Sequence, residues 1–237
     1  MRLEGVEVKV NVAADDIAAA IIELGLDDDS AMRLWFYEDL SPGIQALPLL
    51  RAGIVLRTRI RAKGVTESTV KLRPCRLSQL TDDWNADTAD GVTYSLEEDR
   101  SRTSRSIAAS CTADHGKLQS PDGPAHRISD LLTEQQLTFL RSSAPIRVNA
   151  AEVTALGPIE ATRWKSVGGG DVADLEPRAE RWMVKGTQYL EISVRTTIES
   201  ADSARSRLTE LLAANHLAED DSQENKTTRV LTALAVP

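Results

Sequence analysis

The chain has 237 residues and a mass of 25.8 kDa, room for one large domain or two small ones at about 150 residues each. Hydrophobic residues are 41% and charged residues 27% of the sequence, which excludes a disordered chain. No apolar run reaches the ~18 residues of a membrane span. The formal net charge of −8 disfavours a general nucleic-acid binder.

In chain order, the first strong signal is GVEVKVNV at residues 5–12. Val6, Val8, Val10 and Val12 fall on one face, and Glu7, Lys9 and Asn11 on the other. This opening alternates at once and has no apolar signal core, so no export signal is expected. A helix rich in Ala and Ile is predicted over 16–24. Residues 54–61 form the next strand, with Leu56, Thr58 and Ile60 opposite Arg57, Arg59 and Arg61. Residues 69–73 oppose Val70 and Leu72 to Thr69, Lys71 and Arg73, and residues 93–99 oppose Tyr94, Leu96 and Glu98 to Ser95, Glu97 and Asp99.

Residues 74–91, including the TDDWNAD stretch at 81–87, are predicted to be an irregular loop. So are residues 113–124, which hold Asp114-His115-Gly116-Lys117 and Ser120-Pro121-Asp122-Gly123-Pro124. A helix follows over 129–141, carrying Leu131, Leu132, Leu137 and Leu140. A strand pair is expected over 159–165 and 181–185, with Arg163 and Lys165 on one face and Trp164 opposite. The Gly-rich connection at 167–171 has no GK[ST] after it, which excludes a P-loop. Residues 189–195 alternate again, with Leu190, Ile192 and Val194 against Tyr189, Glu191, Ser193 and Arg195. A helix over 200–217 carries Leu208, Leu211 and Leu212, and a last helical run holds Val230, Leu231 and Leu234. The acidic loop at 219–225 is the one weak linker candidate.

Charge is unevenly spread. Residues 51–76 carry eight basic side chains against one acid, Glu67. Arg57, Arg59 and Arg61 would stand roughly 7 Å apart on one face and repel unless anions or carboxylates lie between them. One reading of the five charged-faced strands is a half-exposed sheet whose polar face meets water. The other is a sheet curled around its polar face with helices outside, making a lumen suited to a polyanion and a divalent cation.

Other chemistry is poorly supported. Cys75 and Cys111 are too few for a disulfide framework and lack zinc spacing, which fits a reduced, cytoplasmic compartment. His115, His126 and His216 are scattered over loop and helix contexts, and no GxSxG elbow marks a nucleophile. Trp164 and Trp182 have two open readings, stacking a ring or packing against an outer helix, of which packing is preferred.

The Glu7-Val8-Lys9 strand resembles the ExExK signature of the CYTH superfamily, the triphosphate tunnel metalloenzymes, which include inorganic triphosphatases, thiamine triphosphatase and class IV adenylate cyclase. The later order is similar too. Leu34-Trp35-Phe36-Tyr37-Glu38-Asp39 precedes Leu56-Arg57-Thr58-Arg59, like the family's LRxR. Thr69-Val70-Lys71-Leu72, Leu96-Glu97-Glu98-Asp99 and Leu190-Glu191-Ile192-Ser193 follow in the family's sequence.

The resemblance implies an α+β fold, a closed antiparallel β-barrel of about eight strands with helices outside, as a single tunnel domain over 1–237. It implies a triphosphate-containing small molecule or inorganic polyphosphate as ligand, with Mg²⁺ or Mn²⁺, and neither a nucleic acid nor a membrane as partner. Phosphate contacts would fall to Lys9, Arg57, Arg59, Lys71 and Arg73, with Arg163 and Lys165 reaching in from the later strands or lying on a surface hairpin. Metal ligands would be Glu7, Glu97, Asp99 and Glu191. Lys9 would activate water, or else only pair with Glu7 or Glu191. Arg61 is expected at a solvent-exposed rim. Two positions depart from the family: Gly5 stands where ExExK needs glutamate, and Ser193 where many members carry a carboxylate. The implied activity is metal-dependent phosphoanhydride hydrolysis. A nucleotidyl cyclase and a non-catalytic binding protein are the alternatives.

Overall fold

The computed structural model describes residues 3–27, 30–81, 84, 91–118, 127–168, 170–222 and 224–236. Asp82, Asp83, residues 85–87 and 120–124, His126, Gly169 and Gln223 lie outside the described residues.

The strands are β1 (Gly5–Val12), β2 (Ser30–Glu38), β3 (Ile54–Arg61), β4 (Val65–Leu72), β5 (Val92–Arg100), β6 (Arg105–Lys117), β7 (Thr154–Trp164), β8 (Arg178–Val184) and β9 (Thr187–Thr196). They close into one barrel in the order β1-β5-β6-β4-β3-β2-β7-β8-β9. Every pairing is antiparallel except β1 with β5, which runs parallel and sets Glu7 beside Asp99. The helices are α1 (Ile17–Glu23), α2 (Pro48–Arg51), α3 (Glu134–Ser143), α4 (Ala201–Ala214) and α5 (Lys226–Ala235).

The barrel thus has nine strands and one parallel seam where about eight antiparallel strands were expected. The difference lies in β2 and β6. In β2, Leu34, Trp35, Phe36 and Tyr37 are all buried, and a strand covered on both faces shows no alternation. In β6, Ala108, Ala109, Ser110, Cys111, Thr112 and Ala113 are too small for a strong hydrophobic signal. Its end, residues 113–117, was expected to be loop and instead pairs with β4 and β5.

Three apolar clusters position these elements. One joins Val6, Val8, Val10 and Val12 of β1 to Ile17 and Ala20 of α1 and to Leu208 and Leu212 of α4, outside the barrel. A second joins Leu56, Val70, Leu96 and Cys111 to Phe139 and Leu140 of α3, also outside. Gln136 docks that helix. Its side chain accepts from the Thr133 N–H, and its own N–H is accepted by Thr133 Oγ1, a reciprocal cap. Gln136 Nε2 then donates to the carbonyls of Ser68 and Cys111, both in the barrel wall.

The third cluster differs. Met32, Leu34 and Phe36 of β2, Ile159 and Ala161 of β7 and Trp182 of β8 pack against Val230, Leu231 and Ala235 of α5. Phe36, Val55 and Trp182 line the lumen together with Lys226 and Thr227. The C-terminal helix therefore packs on the inward strand face, and the apolar part of that face is filled. Trp164, by contrast, packs in the outer cluster, as preferred from the sequence. Where β7 meets β2, the ladder shifts between Leu34 and Phe36. Gly157 sits there at φ +140°, and a Cβ would lie 2.8 Å from the Leu34 carbonyl oxygen, so only glycine fits.

Candidate functional site

The inward faces of the strands line a cavity of about 530 Å³. Ten basic and six acidic residues face it, and they sort into two charged groups.

The first surrounds Asp99. The parallel β1–β5 pairing brings Asp99 level with Glu7, and alternation turns both inward with Lys9. Asp99 Oδ1 accepts from Lys9 Nζ at 3.1 Å, and Oδ2 from Lys71 Nζ at 3.2 Å and Arg73 Nη1 at 3.1 Å. Lys9 Nζ also stands 2.7 Å from Glu7 Oε2. Burial pushes the Asp99 carboxyl up, yet Lys9, Lys71 and Arg73 outweigh it and hold the group well below the usual range. Glu7 is lowered in the same way, against burial, chiefly by Lys9 and Lys71. Lys9 is raised despite burial because Glu7, Asp99 and Glu191 surround it. Burial, with Lys9 and Arg73 near, brings Lys71 down to about 8 against the pull of Asp99.

The second group is an arginine wall on β3. Arg57, Arg59 and Arg61 share Glu67: Arg57 Nη2 and Arg59 Nη1 lie 3.6 Å and 3.8 Å from its Oε1, and Arg61 pairs with Oε2. Arg59 Nη2 reaches Glu180 Oε2 at 3.7 Å. Glu180 Oε1 accepts from Trp182 Nε1 at 2.5 Å and lies 3.6 Å from Lys226 Nζ, which is 3.4 Å from Glu191 Oε1. Burial and the neighbouring Arg59 lower Arg57 to about 10, with Glu67 and Glu180 opposing. Glu180 is held far below its usual value, against burial, by Lys226, Arg59, Arg57 and Arg163. The Nε atoms of Arg57 and Arg59 are buried without a hydrogen-bond partner.

Lys9, Arg57, Arg59, Lys71, Arg73 and Arg163 thus meet in one lumen, with Glu7, Glu97 and Glu191 beside them. Lys165 does not: it follows the last residue of β7, is exposed, and lines a separate cavity at the lip. Arg61 sits at the exposed edge of the lumen, tied to Glu67. The water-activating role expected of Lys9 meets a physical objection. A lysine held as ammonium between two carboxylates has no lone pair with which to take a proton. His115 is in β6, not a loop, and its Nε2 hydrogen-bonds Ser68 Oγ at 2.8 Å.

Glu67, Glu180, Arg195 and Lys226 also face the lumen and were missed as site residues, while Arg178 borders it from the exposed lip. Glu67 was visible as the lone acid in the basic stretch. Glu180 alternates with Arg178 and Trp182, but the expected strand began at 181, three residues after β8 does. Lys226 opens α5 after its cap Asn225 and carried no signal of its own. Asn225 Oδ1 accepts from Thr228 N at 3.0 Å and from Arg73 Nη2 at 2.7 Å, tying the start of α5 to the Asp99 group.

No family model and no curated protein matches the sequence. Solved structures do. A candidate adenylyl cyclase from Hippeastrum, HpAC1, described as revealing a dominant triphosphatase activity, superimposes with a TM-score of 0.56 at 12% identity, over 94% of this chain and 93% of that one. A candidate adenylate cyclase from Bacillus halodurans (bh2851) does so with a TM-score of 0.51 at 13% identity, over 96% and 97%. The fold is that of the CYTH tunnel proteins.

The divalent cation expected from the sequence resemblance can be tested against the donor set. Among the described residues, no three Asp, Glu, His or Cys side chains come together to hold an ion. Asp99 gives both oxygens to cations, Glu7 is paired with Lys9, Glu97 with Arg195 at 3.3 Å, and Glu191 with Lys226. The four carboxylates expected as ligands are each committed to a basic partner, so they do not fit a resident ion in this arrangement.

Proposed function

We propose that the lumen binds the triphosphate group of a small molecule, or inorganic tripolyphosphate, and that a phosphoanhydride bond is hydrolysed there. The observation that carries this reading is the arginine wall, three guanidinium groups that share Glu67 and face the lumen. Three guanidinium groups crowded around one carboxylate repel one another, and phosphate oxygens in the lumen would relieve that repulsion. Guanidinium forks at alternate β3 positions can hold successive phosphates. Lys71 and Arg73 approach from the opposite group, so a chain lying between them would be neutralised on both sides.

Phosphoryl transfer needs positioning and charge neutralisation more than covalent chemistry. Arg57 and Arg59 would neutralise charge on the phosphoryl oxygens, and Lys9, fixed as a cation, would add to it. Water is the nucleophile of the proposed reaction. The triphosphatase activity named for the Hippeastrum protein agrees with this reading.

A non-catalytic phosphate-binding protein is the second reading, and one feature favours it. Asp99 is fully occupied by Lys9, Lys71 and Arg73, while Gly5 and Ser193 supply no carboxylate. Calorimetric titration of tripolyphosphate with and without Mg²⁺ or Mn²⁺, with phosphate release assayed in the same samples, separates the two. Binding with release is the result expected of the hydrolase. Binding without release in any metal supports the second reading, and no binding refutes both.

A further inference from the structure

At the lip of the lumen, Arg163, Lys165, Ser166, Glu176 and Arg178 line a second cavity of about 420 Å³. Arg163 and Arg178 line the lumen as well, so the two spaces adjoin. The geometry follows from the ends of two paired strands: β7 stops just before Lys165, and β8 begins at Arg178.

The cations here differ from those deeper in the lumen. Lys9, Arg59, Lys71, Arg73 and Lys226 all lie within 4 Å of a carboxylate. Among the described residues, the charged ends of Arg163, Lys165 and Arg178 form no ion pair, and Glu176 is the one acid lining their cavity. Burial, with Arg59, Arg178 and Arg61 around it, lowers Arg163 against the pull of Glu180. Glu180 offsets only part of this repulsion from Arg59, Arg178 and Arg61, and an anion between the lip cations would relieve more of it.

The chemistry of the lip also lacks something. The chain has four Trp, three Tyr and two Phe, and all of them sit in or against the three apolar clusters. None lines the second cavity. A nucleobase or other aromatic group would find no stacking face there.

We infer that the lip is a second anion subsite, which takes the next anionic group of a ligand whose triphosphate lies in the lumen: a fourth phosphate rather than a nucleoside. The inference rests on the triphosphate reading and adds the character of what lies beyond the third phosphate.

Tripolyphosphate, tetrapolyphosphate and ATP are titrated into the full chain at one ionic strength, since exposed charges are screened by salt. The wild type is expected to bind tetrapolyphosphate about tenfold more tightly than tripolyphosphate, the effect of one or two charge-assisted contacts. ATP gains no such advantage. Lys165→Gln combined with Arg178→Gln removes the tetrapolyphosphate preference and weakens tripolyphosphate by less than about threefold. Both side chains are exposed, and circular dichroism checks that the variant folds. The single variants, each expected to remove part of the preference, serve if the pair does not fold.

Equal affinity for the two phosphate chains, or equal losses in the variant, overturns the subsite while leaving tripolyphosphate binding in the lumen intact. ATP binding as tightly as tetrapolyphosphate, and weakened by the same substitutions, overturns the chemical class. Failure of tripolyphosphate to bind at all refutes the underlying triphosphate reading instead.

Discussion

Two regions of the same lumen solve the problem of crowded cations differently. Around Asp99, one carboxylate takes hydrogen bonds from Lys9, Lys71 and Arg73 at 3.1–3.2 Å. On β3, Glu67 is shared among three arginines at longer range, 3.6 Å and 3.8 Å for two of them, and two Nε atoms have no partner. The first group is balanced from within and holds its own geometry. The second spreads Glu67 over three guanidinium groups, an excess of positive charge that a bound anion would offset. Hydrogen-bond distance to a carboxylate, rather than the number of cations, separates the Asp99 group from Arg57 and Arg59.

The largest test removes the ligand-seeking region. Arg57→Ala with Arg59→Ala is expected to weaken tripolyphosphate binding by about 3–6 kcal/mol, two charge-assisted contacts of about 1.5–3 kcal/mol each. The barrel should stay folded by circular dichroism, because two of its three apolar clusters lie outside the lumen. Retained affinity would show that the wall does not meet phosphate.

Asp99→Asn attacks the balanced region. It leaves Lys9, Lys71 and Arg73 without their carboxylate, and breaking a buried pair costs about 3–5 kcal/mol, read by urea denaturation. Tripolyphosphate should restore part of that loss, since an anion can replace the missing charge. A variant as stable as the wild type would mean that the three cations need no internal counter-charge.

Leu208→Ala separates stability from binding. Leu208 is fully buried between α4 and β1, outside the lumen, so a loss of about 2–5 kcal/mol in unfolding is expected with unchanged tripolyphosphate affinity below the unfolding transition. A parallel loss of affinity would mean that the outer core sets the lumen geometry directly.

The smallest effect is on pH dependence, away from both charged groups. Burial lowers the His115 pKa from its ordinary 6.5, with Asp114 opposing, and its ring hydrogen-bonds Ser68. A depressed histidine favours folding while neutral. Its contribution is present above pH 6.5 and is lost as pH falls through the lower folded-state pKa. His115→Gln should flatten the fall in thermal midpoint between about pH 7.5 and 5 relative to the wild type. An identical slope in both proteins would remove His115 from the account.

Much of this was legible in the chain because β-strands have a period of two. Val6 to Val12 against Glu7 and Lys9, and Leu56 against Arg57 and Arg59, declare which side chains share a face before any pairing is known. That is why most expected phosphate contacts do meet in one lumen. Lys165 stands at the lip rather than in the lumen because it lies one residue past the end of β7, where alternation no longer sets direction. Glu180 was lost to a misplaced strand start. β2 was recognised only by resemblance, because burial on both faces erased its pattern.

The sequence by itself determined the two-faced strands, the concentration of basic charge between Arg51 and Arg76, and the missing carboxylates at Gly5 and Ser193. These are local properties, readable from neighbours along the chain. Only the tertiary structure decided that β1 closes on β5 in parallel and puts Glu7 beside Asp99, that α5 enters the inward face with Lys226, and that Asp99 is occupied by three cations 90, 28 and 26 residues away. Those facts depend on which strand ends meet when the barrel closes. Closure is set by the summed packing of three apolar clusters, so no single segment carries it.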